Sequence, residues 1–136
     1  MKTPRLGSAP LAALALAACL STRPATAAPG GCTNQADLPA FAFEQITVST
    51  TAIGFTAATA FPTGQRGAIM AVFTVETADV RFRVDGPDPT ATVGDRISAG
   101  NPGTACGEEN IRRTKFIRED GTDATISVHY YREGDQ

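Results

Sequence analysis

The chain has 136 residues, enough for one domain, and a formal net charge of −2. Without residues 1–27, which have the pattern of a targeting segment, nine basic and fourteen acidic residues remain, a net charge of −5. This balance argues against proteins that bind nucleic acid or anionic membranes through charge, so a membrane contact would need a lipid anchor.

Residues 1–27 are predicted to be a signal peptide. Lys2 and Arg5 precede an apolar run over 11–20 that is too short to span a bilayer as a helix. Two processing routes stay open: residues 25–27 have the small-x-small form of a signal-peptidase site, whereas the run ending at Cys19 resembles a lipobox, whose cysteine carries the lipid. We therefore expect a secreted or periplasmic protein, with an outer-membrane lipoprotein as the alternative.

Two cysteines, Cys32 and Cys106, remain after removal of the signal peptide. In an oxidising compartment we expect them to form a disulfide that closes a loop of roughly 74 residues and contributes about 4 kcal/mol in the chain-entropy model. Two unpaired thiols are the alternative. Two cysteines and the single His129 cannot supply the four ligands of a structural zinc site, so no metal is predicted.

Small residues over 28–40 predict a linker, and the domain is predicted to cover 41–136, with Phe41 and Phe43 at its edge. The run over 68–75 is apolar on both faces, which predicts a central strand buried on two sides. Alternation of apolar and polar residues predicts strands at 45–49, 53–58, 68–75, 79–84, 92–97, 111–118 and 124–131.

Two Asp-Gly pairs mark turns. The first ends the strand over 79–84, in a turn motif formed by Asp85, Gly86, Asp88, Pro89 and Thr90. The second, at 120–121, is the strongest short-range hairpin signal in the chain. Residues 98–103 are predicted to be a loop leading to the second cysteine of the expected disulfide.

About seven short strands without a helix predict an all-β fold, an antiparallel β-sandwich. Residues 80–90, Phe116-Ile117, Asp120-Gly121 and the last strand with Tyr130 resemble the Ig-like module of the chitobiase/β-hexosaminidase C-terminal type. The resemblance covers about residues 68–131. It implies an Ig-like sandwich that serves secreted or surface machinery as an accessory module, with no catalytic residues to carry over. Residues 81–100 also resemble small uncharacterised β proteins of phage genomes.

The acidic residues of the first turn region are Asp85, Asp88 and Asp95. Their oxygens suit calcium, but their spacing matches no established calcium loop. We interpret them as turn residues that accept hydrogen bonds from their own backbone, and we predict no cofactor.

Basic side chains predict an anion-binding patch for phosphate or carboxylate groups, formed by Arg81, Arg83, Arg113 and Lys115. The alternative is a solvated strand face on which these cations pair with neighbouring carboxylates.

His129 lies near Ser127 and Tyr131, but the sequence has no signal for an orienting carboxylate, an oxyanion hole or a nucleophile on a sharp turn. We therefore predict that the chain is not an enzyme. Tryptophan is absent, and Tyr131 is the one aromatic of the last strand expected to face outward, which weakens an interpretation as a sugar-binding protein.

The sequence favours a secreted, non-catalytic accessory module for binding or structural roles. Its partner is unassigned, and a surface glycan or another protein would both fit. A phage-derived virion or surface component is the second hypothesis, and a small secreted hydrolase is the least supported.

Overall fold

The computed structural model describes residues 38–134, and within this range the chain is mostly β. The all-β class is therefore confirmed, whereas the predicted signal peptide and nearly all of the predicted linker lie outside the described residues. The elements are β1 Ala40–Val48, β2 Ile53–Gly54, α1 Ala57–Ala60, β3 Met70–Val75, β4 Val80–Arg83, β5 Asp95–Ile97, β6 Pro102–Cys106, α2 Glu108–Arg113, β7 Lys115–Arg118 and β8 Ala124–Tyr131.

The eight strands of residues 38–134 form two antiparallel four-stranded sheets. Sheet A has the order β1-β8-β3-β6, and sheet B has the order β2-β7-β4-β5. The central position predicted for β3 is confirmed, because it pairs with β8 on one side and with β6 on the other.

Apolar side chains of both sheets meet in one core. In β8 the alternating residues Ala124, Ile126, Val128 and Tyr130 are all fully buried, as the regular pattern of this strand predicts. The ring of Phe73 in sheet A lies 5.0 Å from that of Phe116 and 6.0 Å from that of Phe82 in sheet B, centroid to centroid. These edge-to-face contacts add to the stabilisation that burial of the rings provides. Four further large side chains are fully buried: Val48, Val75, Val80 and Ile111.

The prediction that β3 is buried on both faces is only partly right. Ala71, Phe73 and Val75 face the core, but Val72 and Thr74 on the opposite side are half-buried. Apolar residues on both faces of a strand raise its hydrophobicity without showing that a second layer covers it.

The strand predicted over 111–118 is wrong in its first half. Residues 108–113 form α2, and only Lys115–Arg118 is a strand. Glu108 pairs with Arg112 and Glu109 with Arg113, each at i,i+4 spacing, and the acidic residues precede the basic ones as the helix dipole favours. Ile111 on the other side of this helix is 1% exposed.

The strand predicted over 53–58 is also largely wrong. Strand β2 has two residues, and the chain then turns into α1. Phe55, between the two elements, is partly buried and packs against the core, with its ring 5.2 Å from that of Phe116. The predicted loop over 98–103 ends earlier than expected, because β6 begins at Pro102, the strand position where a missing N–H is tolerated.

The hairpin predicted at Asp120-Gly121 is wrong. The pair lies between β7 of sheet B and β8 of sheet A, so the segment connects the two sheets. Gly121 also lacks the positive φ that a type I′ hairpin turn requires. By contrast, Gly86 has a φ of 108° and lies between the antiparallel strands β4 and β5.

The helices of the described range are four and six residues long, and neither is long and apolar enough to cross a membrane.

Candidate binding face

The side of sheet A that faces away from the core carries a row of side chains from all four strands. Phe43 of β1 is paired with His129 of β8, which is paired with Val72 of β3, which is paired with Thr104 of β6. These residues alternate with buried neighbours such as Val128, so they lie on the outer side.

The next rows on this side consist of side chains that can donate and accept hydrogen bonds. Gln45 is paired with Ser127 and Ser127 with Thr74, and the Gln45 amide nitrogen donates to the Ser127 hydroxyl oxygen at 3.2 Å. Thr47 and Thr125 form the row beyond. We call this surface the neutral face, because none of its members carries a fixed charge: Phe43, Gln45, Thr47, Val72, Thr74, Thr104, Thr125, Ser127 and His129.

Phe43 is the most prominent feature of the neutral face. Its side chain is 52% exposed, and its ring centroid lies 4.9 Å from that of His129, with the two planes tilted by 47°. The sequence predicts this phenylalanine at the domain edge, outside the first strand. The alternation of Ile46 and Val48, extended upstream, would have placed Phe43 within the strand, with its side chain on the side opposite these two buried residues.

Phe41 does not share this exposed position, although it is two residues away. The register between β1 and β8 shifts by one residue between Ala40 and Ala42, which makes Phe41 a bulge residue. Its ring lies 6.4 Å from that of the buried Tyr130, so the bulge turns it toward the core side. Phe43 is therefore left as the exposed aromatic ring beside His129.

The outer side of sheet B is charged, and the four cations of the predicted anion-binding patch have carboxylate partners. The nitrogen–oxygen distances are 2.6 Å for Arg81–Glu119, 2.5 Å for Arg83–Asp85, 2.6 Å for Arg113–Glu109 and 2.5 Å for Lys115–Asp88. Arg83 and Lys115 are cross-strand neighbours, whereas Arg113 projects from α2. An anion would have to compete with these carboxylates for the basic side chains. Anion binding by this patch stays a prediction.

The turn motif forms part of a braced loop over residues 84–94. Arg81 donates to the carbonyl oxygens of Ala91 at 2.9 Å and Gly94 at 3.0 Å, and the hydroxyl of Thr90 accepts from the Val93 N–H at 3.0 Å. Pro89, within the loop, is fully buried. These bonds favour a structural role for the motif.

Two acidic residues of this loop form ion pairs with basic side chains of the same chain. The hydrogen bond from Arg83 holds the pKa of Asp85 below its usual value, and Asp88 pairs with Lys115.

An open depression of about 400 Å³ is lined by Arg83, Val84, Asp85, Gly94 and Asp95. Among residues 38–134 no group of three or more His, Cys, Asp or Glu side chains is arranged to hold a metal ion.

His129, Ser127 and Tyr131 lie on one side of β8, as their spacing predicts. The His129 ring packs against Phe43, and the Ser127 hydroxyl accepts the hydrogen bond from Gln45. These contacts make both residues part of the neutral face.

Cys106 ends β6, where it is the cross-strand partner of Met70. It is disulfide-bonded, and its carbonyl oxygen accepts a hydrogen bond from the Asn110 side chain at 2.8 Å. Cys32 lies outside the described residues, so its pairing with Cys106 stays a prediction.

No family model matches this chain, and neither a curated protein nor a solved structure is found to be similar to it.

Proposed function

We propose that this chain is an exported, non-catalytic β-sandwich module that binds an uncharged glycan through the neutral face of sheet A. The observation that carries the proposal is the half-exposed ring of Phe43, which lies beside His129 among amide and hydroxyl side chains.

The chemistry of the neutral face complements a sugar. A pyranose ring presents C–H groups that pack against an aromatic ring, and its rim presents hydroxyl groups that donate and accept hydrogen bonds. Phe43 offers the ring, while Gln45, Ser127 and Thr74 offer both donors and acceptors in the adjacent row. The absence of fixed charge from these side chains favours a neutral ligand over an anionic one.

The size of the neutral face favours a short oligosaccharide over a globular protein. Four strands spaced by about 4.8 Å, with a rise of about 3.4 Å per residue, give its rows an area of about 300 Å². A stable protein–protein interface needs about 800 Å² on each partner. A few sugar rings would cover the neutral face, whereas a protein partner would also have to contact surfaces beyond it.

Three observations support the architecture and location in this proposal. Phe73, Phe82 and Phe116 join the inner sides of both sheets, which is the arrangement of a sandwich core. Residues 1–27 have the signal-peptide pattern, and the overall charge after its removal suits a soluble exported module. Retention of Cys19 with a lipid would tether the same module to a membrane.

The test is a glycan array of neutral and anionic sugars, probed with the chain starting at Ala28, followed by calorimetry on the sugars that bind. We expect a neutral glycan to bind and Phe43→Ala to weaken binding at least ten-fold. The control is Val93→Ala, because Val93 is 51% exposed on the 84–94 loop, away from sheet A. Absence of binding, or equal affinity of the two variants, would overturn the proposal.

Two further outcomes would redirect it. Binding restricted to anionic sugars and lost in Arg83→Ala would assign the site to sheet B. Turnover of ester or glycoside substrates that is abolished by His129→Ala would contradict a non-catalytic role. Mass spectrometry of the purified N-terminus separates release, with a start at Ala28, from tethering, with a diacylglycerol mass on Cys19.

A further inference from the structure

Three neighbouring strands of sheet A, β1, β8 and β3, each place the same kind of side-chain pair on the neutral face. Every pair has an apolar or aromatic member and, two residues along the strand, a member that donates and accepts hydrogen bonds. The pairs are Phe43 with Gln45, His129 with Ser127, and Val72 with Thr74.

The register of sheet A aligns these pairs into two rows across the strands. Phe43 lies opposite His129, and His129 lies opposite Val72, so the first members form one row, which we call the apolar row. The second members are matched in the same way and form the polar row, about 7 Å away along the strands. A floor of rings and methyl groups therefore has hydrogen-bonding groups along one side.

The fourth strand, β6, breaks the repeat. Its residue opposite Val72 is the exposed Thr104, and its residue opposite Thr74 is Pro102, which offers a ring and no hydroxyl. The polar and apolar positions are thus exchanged on this strand. The repeat has three units and ends between β3 and β6.

The polar row keeps hydrogen-bonding capacity for a ligand. The Gln45 amide nitrogen donates to the Ser127 hydroxyl oxygen at 3.2 Å. The amide still has a second N–H and its carbonyl oxygen, and the hydroxyl still has its own proton to donate. Because the bond holds both side chains in place, less conformational entropy is lost when a sugar binds them.

The two rows favour a ligand that runs across the strands. A sugar ring needs an apolar surface under its C–H face and hydrogen-bonding groups beside its rim. A chain of rings over the apolar row finds both at every strand. A chain along β8 would meet His129, Ser127 and Thr125 in turn and would find an apolar surface once. Neighbouring strands are about 4.8 Å apart, close to the length of one ring in an extended sugar chain.

We propose that the ligand of the neutral face is an unbranched β-1,4-linked chain of glucose-type rings, with three consecutive rings on β1, β8 and β3. This assignment rests on the proposed function, because it takes glycan binding at this face as given. Equatorial linkages at C1 and C4 keep successive rings flat and in line, which is the shape of the apolar row. Both edges of such a ring carry hydroxyls, so each ring reaches the polar row whichever way it is turned. An axial hydroxyl would instead point into the apolar row and lose its hydrogen bonds to water.

The first test is calorimetry of the chain starting at Ala28 with soluble β-1,4-linked glucose oligomers of one to five rings. We expect the affinity to rise at each step up to three rings and to change little beyond. β-1,4-linked galactose oligomers, whose linkage at C4 is axial, should bind at least ten-fold more weakly. Full affinity for a single ring, or equal affinity for the two kinds of oligomer, would overturn the proposal.

Two matched variants test the direction of the chain. Thr74→Val and Thr125→Val each replace an outward hydroxyl of sheet A by a methyl group of similar size, the first in the polar row and the second in the row beyond it. We expect Thr74→Val to weaken binding of the three-ring oligomer at least five-fold and to have the larger effect of the two. An equal or larger loss in Thr125→Val would place the chain along β8 and overturn the proposal.

A third variant covers the case in which Thr74→Val folds poorly. Val72→Thr puts a hydroxyl into the apolar row of the same strand, so it should also weaken the three-ring oligomer more than the two-ring oligomer. Val93→Ala on the 84–94 loop is again the control and should change neither affinity. Equal losses for both oligomers in Val72→Thr would contradict a third ring on β3.

The outcomes separate this ligand assignment from the function on which it rests. Binding of another neutral glycan that is lost in Phe43→Ala, without binding of any glucose oligomer, would overturn the assignment and keep the neutral face as the site. Binding of no glycan at all would overturn both.

Discussion

The hydroxyl group of Tyr130 donates a hydrogen bond to the carboxylate oxygen Oε1 of Glu44, and this bond joins β8 to the edge strand β1. The same oxygen accepts a second hydrogen bond, from the Thr56 N–H at 3.0 Å, at the start of α1. Glu44 shares its side of β1 with the buried Ile46, so a charge points inward from an edge strand. Inward charges of this kind oppose pairing with foreign strands, and a slip of one residue would break both bonds.

Removal of the Tyr130 hydroxyl should destabilise the fold. Tyr130→Phe keeps the buried ring but leaves Glu44 with one donor fewer, and hydrogen bonds to charged groups contribute about 1.5–3 kcal/mol. We expect a loss of about 2 kcal/mol in urea denaturation. In Glu44→Gln the amide oxygen can still accept hydrogen bonds from the Tyr130 hydroxyl and the Thr56 N–H, so this variant should lose less stability. A Tyr130→Phe variant within about 0.5 kcal/mol of the unmodified protein would show that the bond is energetically unimportant.

Alkaline pH should destabilise the protein through the same residue. Burial first, and then the Glu44 carboxylate, raises the pKa of Tyr130 far above its usual value. The unfolded chain loses this proton near pH 10 while the folded chain keeps it, so the stabilisation is complete below about pH 10 and is lost as pH rises toward the folded-state pKa.

The free energy of unfolding should therefore fall above about pH 10, and Tyr130→Phe should fall less. In Tyr131→Phe, Tyr130 is the only tyrosine left, so absorbance at 295 nm reports it alone. We expect tyrosinate to form only when the chain unfolds. A titration completed in the folded state near pH 10 would contradict the raised pKa.

Gly103→Ala should destabilise the core by about 1–3 kcal/mol, the range for overpacking. A Cβ at this position of β6 would lie 2.3 Å from Cζ of Phe73 and 2.9 Å from Cδ1 of Ile97. Gly121→Ala is the matched control, because a Cβ there meets no atom within 4 Å. Chemical denaturation of both variants measures the difference. Equal stability would mean that Phe73 moves aside without cost.

Arg81→Lys should loosen the 84–94 loop while keeping the charge. The guanidinium holds Ala91, Gly94 and Glu119 at once, and an ammonium group cannot reproduce this forked geometry. We expect faster hydrogen exchange at the Val93 amide and a stability loss of about 1 kcal/mol. Arg66→Lys, in an exposed ion pair with Glu133, is the control and should change neither quantity. Unchanged exchange in Arg81→Lys would show that the loop is held by other contacts.

Acid should destabilise the β4–β5 side of sheet B through Asp79. The backbone N–H of Ala99, and then Arg96, lower the pKa of this carboxyl group below its usual value. A lowered folded-state pKa contributes stability that is present above about pH 4 and is lost as pH falls through it. The melting temperature of the unmodified protein should thus drop more between pH 5 and pH 2 than that of Asp79→Asn. Parallel curves would contradict this, and Asp120→Asn controls for the change in net charge.

The sequence by itself determined the elements whose pattern is local and unambiguous. The alternation over Ala124–Tyr131 predicts β8 and its buried face, and the apolar run over 68–75 predicts the central β3. Both patterns arise because each strand places successive side chains on opposite sides, which any stretch of the chain reports without reference to the rest. Val84 shows the limit of the pattern: it continues the alternation of Val80 and Phe82, yet it is 38% exposed, because β4 ends at Arg83.

Tertiary structure decided the features that depend on distant partners. Asp120-Gly121 is a local hairpin signal, but its flanking strands belong to different sheets because β8 finds partners in β1 and β3. Residues 108–113 form a helix because buried Ile111 anchors one side while ion pairs line the other. Phe43 reaches the neutral face beside His129 only because β1 pairs with β8 in a register that a bulge at Phe41 adjusts. Pairing between residues more than 80 positions apart depends on the whole chain, so no single stretch of the sequence predicts it.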